Sequence, residues 1–240
     1  MTTGMKAVLG SVALLVVAVG GELLWLHHRD AVDAAAPKQT AYVSDPDDLV
    51  FLKKERPDSL KDEKALKGRT LWLAAGGQLD YYPYVGHHVD YEKSQGVLLG
   101  CEPLTIVDAV EQVAPKSATF RIPGGDKQVL LVFTKPGATG EFAVPVGFKD
   151  NGGYTFSTDE IFFYDDPHQL FNYWSPAIWK AIDSHTAMLG MNERQMFLAL
   201  GQVSKPDSDN YGNRTIEFDD QGHPKRVVFE HGKATSITPE

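Results

Sequence analysis

The chain has 240 residues, 42% hydrophobic and 10% aromatic, enough to bury one sizeable domain or two small ones and well outside the disordered class. Its formal net charge of −9 argues against nonspecific attraction to nucleic acid or an anionic lipid surface, which needs a local excess of Lys and Arg. The single cysteine, Cys101, excludes an intramolecular disulfide and a Cys-rich metal site, and among Val97, Leu98 and Leu99 it reads as a small buried hydrophobe rather than a nucleophile.

Residues 7–26 (AVLGSVALLVVAVGGELLWL) form a run of twenty with one charge, Glu22, about the length that crosses a hydrocarbon core as a helix. Residues 1–29 are therefore expected to be a membrane segment. Retention as an anchor is favoured by Trp25, placed for an interfacial belt. The alternative is a cleaved signal peptide with Ala18 and Gly20 as the small residues of the processing site. The first reading implies a single-pass inner-membrane protein with its C-terminal domain in the periplasm, the second a secreted one. Residues 30–48 are Ala-, Asp- and Pro-rich without apolar periodicity, as expected of a linker.

A β-rich domain is predicted over residues 49–165. Asp58 or Ser59 can cap a short helix that Gly68 stops, followed by a strand at residues 69–74 (RTLWLA). Thr105 and Asp108 have capping-box spacing ahead of Ile106, Val107, Val110 and Val113, which predicts a helix. Strands are predicted at residues 118–122, 128–134, 141–149, 154–157 and 160–164, separated by PGGD, KPGATG and DNGG turn signals, which together make an antiparallel sheet.

From residue 166 to 240 the period becomes helical and then returns to strand. Asp166-Pro167-His168-Gln169 is a helix start with Pro at the first position. A second helix begins at Ser175-Pro176, with Ile178, Trp179, Ile182 and Leu189 near one face and Gly190 as its stop. Asn192 and Gln195 repeat the capping spacing for a third over residues 193–200, ended by Gly201. Strands at 213–218, 226–230 and 234–237 close the chain as a three-stranded meander.

Residues 190–237 resemble the repeat of the BamE/SmpA-like small envelope proteins: Gly190-Met191 with Glu193 and Gln195 opening a helix, Leu200-Gly201 closing it, residues 214–219 as a strand, and Val227-Val228-Phe229 leading into His231-Gly232-Lys233-Ala234. The resemblance implies helices packed on a small antiparallel sheet and a role as an envelope-facing binding module, as in accessory subunits of outer-membrane barrel assembly. The acylated cysteine near the start of the family's lipoproteins is missing here, and residues 49–165 carry no resemblance to the family. Fold alone does not transfer the role in barrel assembly.

His87 and His88, with Asp90, Tyr91 and Glu92, supply zinc-compatible groups, but adjacent histidines on a strand point to opposite faces. Together with His168 they define the alternative of a metal-dependent hydrolase. Asp159, Glu160, Asp165 and Asp166 form an acidic cluster without calcium-loop spacing. Neither Gly76-Gly77 nor Gly124-Gly125 belongs to a phosphate-binding pattern, and GxSxG is absent. The sequence thus predicts an α+β fold with an N-terminal membrane helix, and a non-enzymatic envelope binding or assembly module without cofactor or metal. Its partner is expected to be an envelope protein, met through Tyr173, Trp174, Trp179, Arg214 and Lys233; a ligand-binding sensor domain is the other alternative.

Overall fold

The computed structural model describes residues 46–115 and 127–239. The apolar run at residues 7–26, the linker as far as residue 45 and the strand predicted at residues 118–122 lie outside the described residues. No helix among the described residues is long and apolar enough to cross a membrane. The chain divides into two units, Met1–Leu49 and Val50–Glu240. In the first a 3-10 turn spans Pro46–Leu49; the second carries the sheets and helices.

Residues 50–58 are neither helix nor strand. Ser59 opens α1 (Leu60–Lys64): its N–H and Oγ–H both donate to the Asp62 carboxylate, occupying a donor that a first helical turn leaves orphaned. Gly68, at φ 82°, turns the chain away after it. There follow β1 (Thr70–Leu73), β2 (Tyr82–Val85), β3 (His88–Val89), β4 (Pro103–Val113), β5 (Lys127–Thr134), β6 (Glu141–Asp150), β7 (Gly153–Phe156), the helical turn α2 (Thr158–Ile161) and β8 (Phe162–Phe163). The eight strands make one antiparallel sheet in the order β3-β2-β6-β5-β4-β1-β8, with β7 also on β6.

Two expectations are corrected here. The helix predicted from Thr105 is the long strand β4, paired with β5 on one side and β1 on the other. Its register slips between Ile106 and Asp108, so the fully buried positions run Leu104, Ile106, Ala109. An extra residue at a bulge breaks the period of two, and the resulting spacing imitates a helix. The strand predicted over residues 160–164 shrinks to β8, because the Glu160 and Ile161 N–H groups fold back on the Ser157 carbonyl at 3.1 and 3.0 Å.

Helices α3 (Pro167–Leu170), α4 (Pro176–Asp183) and α5 (Glu193–Leu200) start where the sequence placed them: Asp166, Ser175 and Asn192 each accept a first-turn N–H. The stop of α4 is corrected from Gly190 to residue 184. The Thr186 N–H bonds the Ala181 carbonyl and the His185 N–H the Ile182 carbonyl, each at 2.9 Å, which is a Schellman ending. His185, at φ 50°, takes the left-handed position usually given to glycine. Leu189 is beyond the helix and exposed. The second sheet, β12-β11-β10-β9, joins β9 (Ser204–Pro206), β10 (Thr215–Phe218), β11 (Lys225–Glu230) and β12 (Lys233–Pro239), so β9 adds a fourth strand to the predicted meander.

One core lies under α1 on the large sheet, built on Leu71, Leu73, Leu104, Ile106, Val129, Leu131 and Phe133. Tyr82, Val89, Leu130 and Ala143 form a smaller one. A third combines Phe171, Trp174, Trp179, Ile182, Met191, Met196 and the inner face of the second sheet with Phe163 and Cys101, and Trp72 packs against it. Strands β1 and β8 thus belong to the large sheet while sharing a core with the small one.

Candidate functional site

Where α3 and α4 meet the start of β4 and the turn after β5, a cleft of about 480 Å³ opens, lined by Trp72, Cys101, Glu102, Lys135, Asp166, His168, Asp183 and His185 among others. Backbone hydrogen bonds tie together the segments around the end of β1. Gln202 N–H bonds the Gly76 carbonyl at 2.8 Å, which draws the end of α5 on to the loop after β1, and Cys101 N–H bonds the Leu73 carbonyl at 2.7 Å, which holds the segment before β4 to β1.

His168 crosses the wall of the cleft with both ring nitrogens facing carboxylates: Nδ1 lies 3.0 Å from Asp166 and Nε2 3.1 Å from Asp183. Its ring stacks on Trp179 at 4.0 Å between centroids. Trp179 continues into Trp174 and then Phe171, at 5.1 and 4.4 Å, so the imidazole is held as the outermost plate of an aromatic stack. Lys135 pairs with Glu102 at 2.9 Å and lies over the Tyr81 ring. Three carboxylates therefore share the cleft with the Lys135 ammonium and the His168 imidazole, each of whose ring nitrogens lies within hydrogen-bond distance of a carboxylate.

Two further groups come from strained backbone. Cys101, at φ 60°, is 7% exposed, and burial, helped by Asp183 and Asp166, pushes its thiol up to about 12. It is a protonated thiol and a poor nucleophile. Burial holds His185 below the ordinary imidazole range against the pull of Glu102, Asp183 and Asp220, and its buried Nδ1 has no hydrogen-bond partner among the described residues. Left-handed backbone costs a non-glycine residue about 1 kcal/mol; at His185 it is the Schellman ending of α4.

The chain matches no protein-family model, no curated protein and no solved structure. Its own geometry carries the functional reading.

Of the residues singled out from sequence, Tyr173 is exposed while Trp174 and Trp179 are interior plates of the stack. Arg214 reaches inward. Its guanidinium holds the fully buried Glu193 through Nε and Nη2, at 3.1 and 2.5 Å, beside the Gly212 N–H. Lys233 is exposed at the start of β12, across from Glu230. His87 and His88 sit exposed on the β2–β3 hairpin, His87 at φ 64° in its turn. Among the described residues no group of three or more His, Cys, Asp and Glu side chains is placed to hold a metal ion. Sequence reading missed the cleft because its lining is spread over five separated segments; the nearest signal was Asp166-Pro167-His168, read as a helix start, as part of an acidic cluster and, at His168, as a candidate hydrolase residue, but not joined to Asp183, Glu102 or His185.

Proposed function

We propose that this chain is a membrane-anchored bacterial envelope protein and a non-enzymatic binding module, which holds a cationic side chain of a partner envelope protein in the cleft beside His168. The observation that carries this reading is the cleft itself: Glu102, Asp166 and Asp183 gathered around an accessible hollow whose wall includes Trp72. Carboxylates beside an indole suit an ammonium or guanidinium group through charge-assisted hydrogen bonds and ring contact. The protonated state of Cys101 supports binding over thiol chemistry. The apolar run at residues 7–26 supports the anchor and a periplasmic placement of the rest, and the BamE/SmpA-like pattern of residues 190–237 supports an envelope role.

Crosslinking in native membranes, followed by mapping of the linked residues, tests the proposal. A reproducible envelope partner whose crosslinks bracket the cleft, and whose capture falls at least tenfold with Asp183→Asn or Trp72→Ala, supports it. Capture unaffected by both variants refutes the cleft as the binding site. A topology reporter fused to the C-terminus tests the location separately, and a cytoplasmic reading there would overturn it.

A further inference from the structure

Away from the cleft, a second set of ionisable groups fastens residues 50–66 to the edge of the large sheet. Glu63 on α1 is fully buried. One carboxyl oxygen, Oε1, receives the Thr158 hydroxyl of α2 at 2.5 Å, while Oε2 is enclosed with no hydrogen-bond partner among the described residues. An ionised carboxylate left half-satisfied in such a site is strongly disfavoured, whereas a neutral acid is tolerated. Burial, opposed by the Thr158 bond and reinforced by Asp159 and Asp62, raises this acid to about 7.

The neighbouring fastening is also a carboxyl. Asp159 accepts the Glu55 and Arg56 N–H groups, both at 3.0 Å, and the Tyr164 hydroxyl at 2.8 Å. Arg69 pairs with Glu55 and lies over the Tyr164 ring. β4, which packs on α1, sends Leu104 and Ile106 into the same core as Leu60 and Leu66. Its acids are engaged elsewhere, Asp108 with the Ala109 N–H and Glu111 with Tyr154, Lys127 and Lys149. Among the described residues the groups that face Glu63 are thus Asp62, Asp159, Tyr164 and, farther out, Glu55, Asp58, Arg56 and Arg69, and no cation among them bonds its carboxyl.

We propose that Glu63 is a proton-controlled clasp: as a neutral acid bonded to Thr158 it locks α1 and the preceding strap, residues 50–66, on to α2 and β8, and loss of its proton to water frees them. Freeing the strap opens the groove of about 280 Å³ that Leu52, Lys53 and Lys54 form with Phe162, Phe163 and Leu170, and bares an edge of the sheet that ends at β8. The device is independent of what the cleft binds.

Hydrogen exchange of the full-length protein between pH 4.5 and 8, read as protection factors for residues 50–66, tests it. Opening that ionises Glu63 weakens protection about tenfold per pH unit up to about 7 and then levels off. Glu63→Gln, neutral at every pH, is expected to hold protection flat across the range. Thr158→Val, which removes the one bond favouring the anion, is expected to move the levelling-off point to higher pH. Protection in the wild type that does not change with pH, or the same fall in Glu63→Gln, would overturn the clasp. Should Glu63→Gln fail to fold, an unmoved profile in Thr158→Val overturns it equally.

Discussion

A Cβ placed on Gly76 would stand 2.2 Å from the Gly100 nitrogen, and one on Gly100 would stand 2.2 Å from the Leu198 carbonyl oxygen. Three backbone segments, from the end of β1, the start of β4 and α5, are stacked with no room for a methyl group. The obstructing atoms are main chain, so they cannot rotate aside. Gly76→Ala and Gly100→Ala are each expected to cost about 3 kcal/mol or more, measured by urea denaturation. Gly137→Ala is the contrast: nothing lies within 4 Å of its added Cβ and only its φ of 75° opposes the change, so about 1 kcal/mol is expected.

Arg214 was singled out as a surface contact, and its geometry makes a different prediction. Removing the guanidinium leaves the Glu193 carboxylate, fully buried, with the Gly212 N–H as its remaining donor of the three groups that reach it. Breaking a buried pair from one side costs about 3–5 kcal/mol. Arg214→Ala is expected to lose that much stability, and Arg214→Lys to recover only part, since an ammonium cannot reproduce the two-pronged contact. A stable Arg214→Ala protein with weakened partner capture would restore the surface role.

Much of the helical part was legible because caps are local chemistry. Asn192 and Gln195 satisfy each other's N–H groups at 2.9 Å, and three residues of spacing suffice to see it. β4 was misread for the same reason: Thr105 and Asp108 have capping spacing, and the bulge at residues 106–108 gives its apolar residues a helix-like rhythm. The β2–β3 hairpin escaped notice because its turn, Gly86-His87, has φ 59° and 64° without the Asn-Gly or Asp-Gly signature of such turns. Glu63 lies in the stretch KDEK, which reads as a solvated charge run; its burial depends on Thr158, 95 residues later. The cleft is hidden in the same way, since neighbours such as Cys101 and His185 are brought together only by the packing of α4 on the sheet edge.

Cys101 makes a chemical prediction. With its thiol pushed up to about 12, the thiolate fraction at pH 8 is about a thousandfold below that of an ordinary thiol, and its 7% exposure slows access further. A chromogenic disulfide reagent is expected to label the native protein at least a thousandfold more slowly than the urea-unfolded chain. Comparable rates would show that the thiol is neither buried nor protonated as the cleft requires.

Glu63 ties the strap to global stability with a definite sign. Its acid is raised in the folded state, so the native protein binds this proton more tightly than the unfolded chain does. The resulting stabilisation is fully present below about 4.5, the ordinary value, and is lost as pH rises to about 7. The shift corresponds to about 3 kcal/mol. Glu63→Gln removes the titration without removing the Thr158 contact, so the variant is expected to approach wild-type stability at pH 4.5 and to exceed it by up to about 3 kcal/mol at pH 8. Urea denaturation of both proteins at a series of pH values gives the difference directly, and because other carboxyls titrate alike in the two chains, the slope of that difference belongs to Glu63. A difference that grows toward acid instead would mean that the buried carboxyl is ionised and stabilising in the fold, with a cation bound to it in solution.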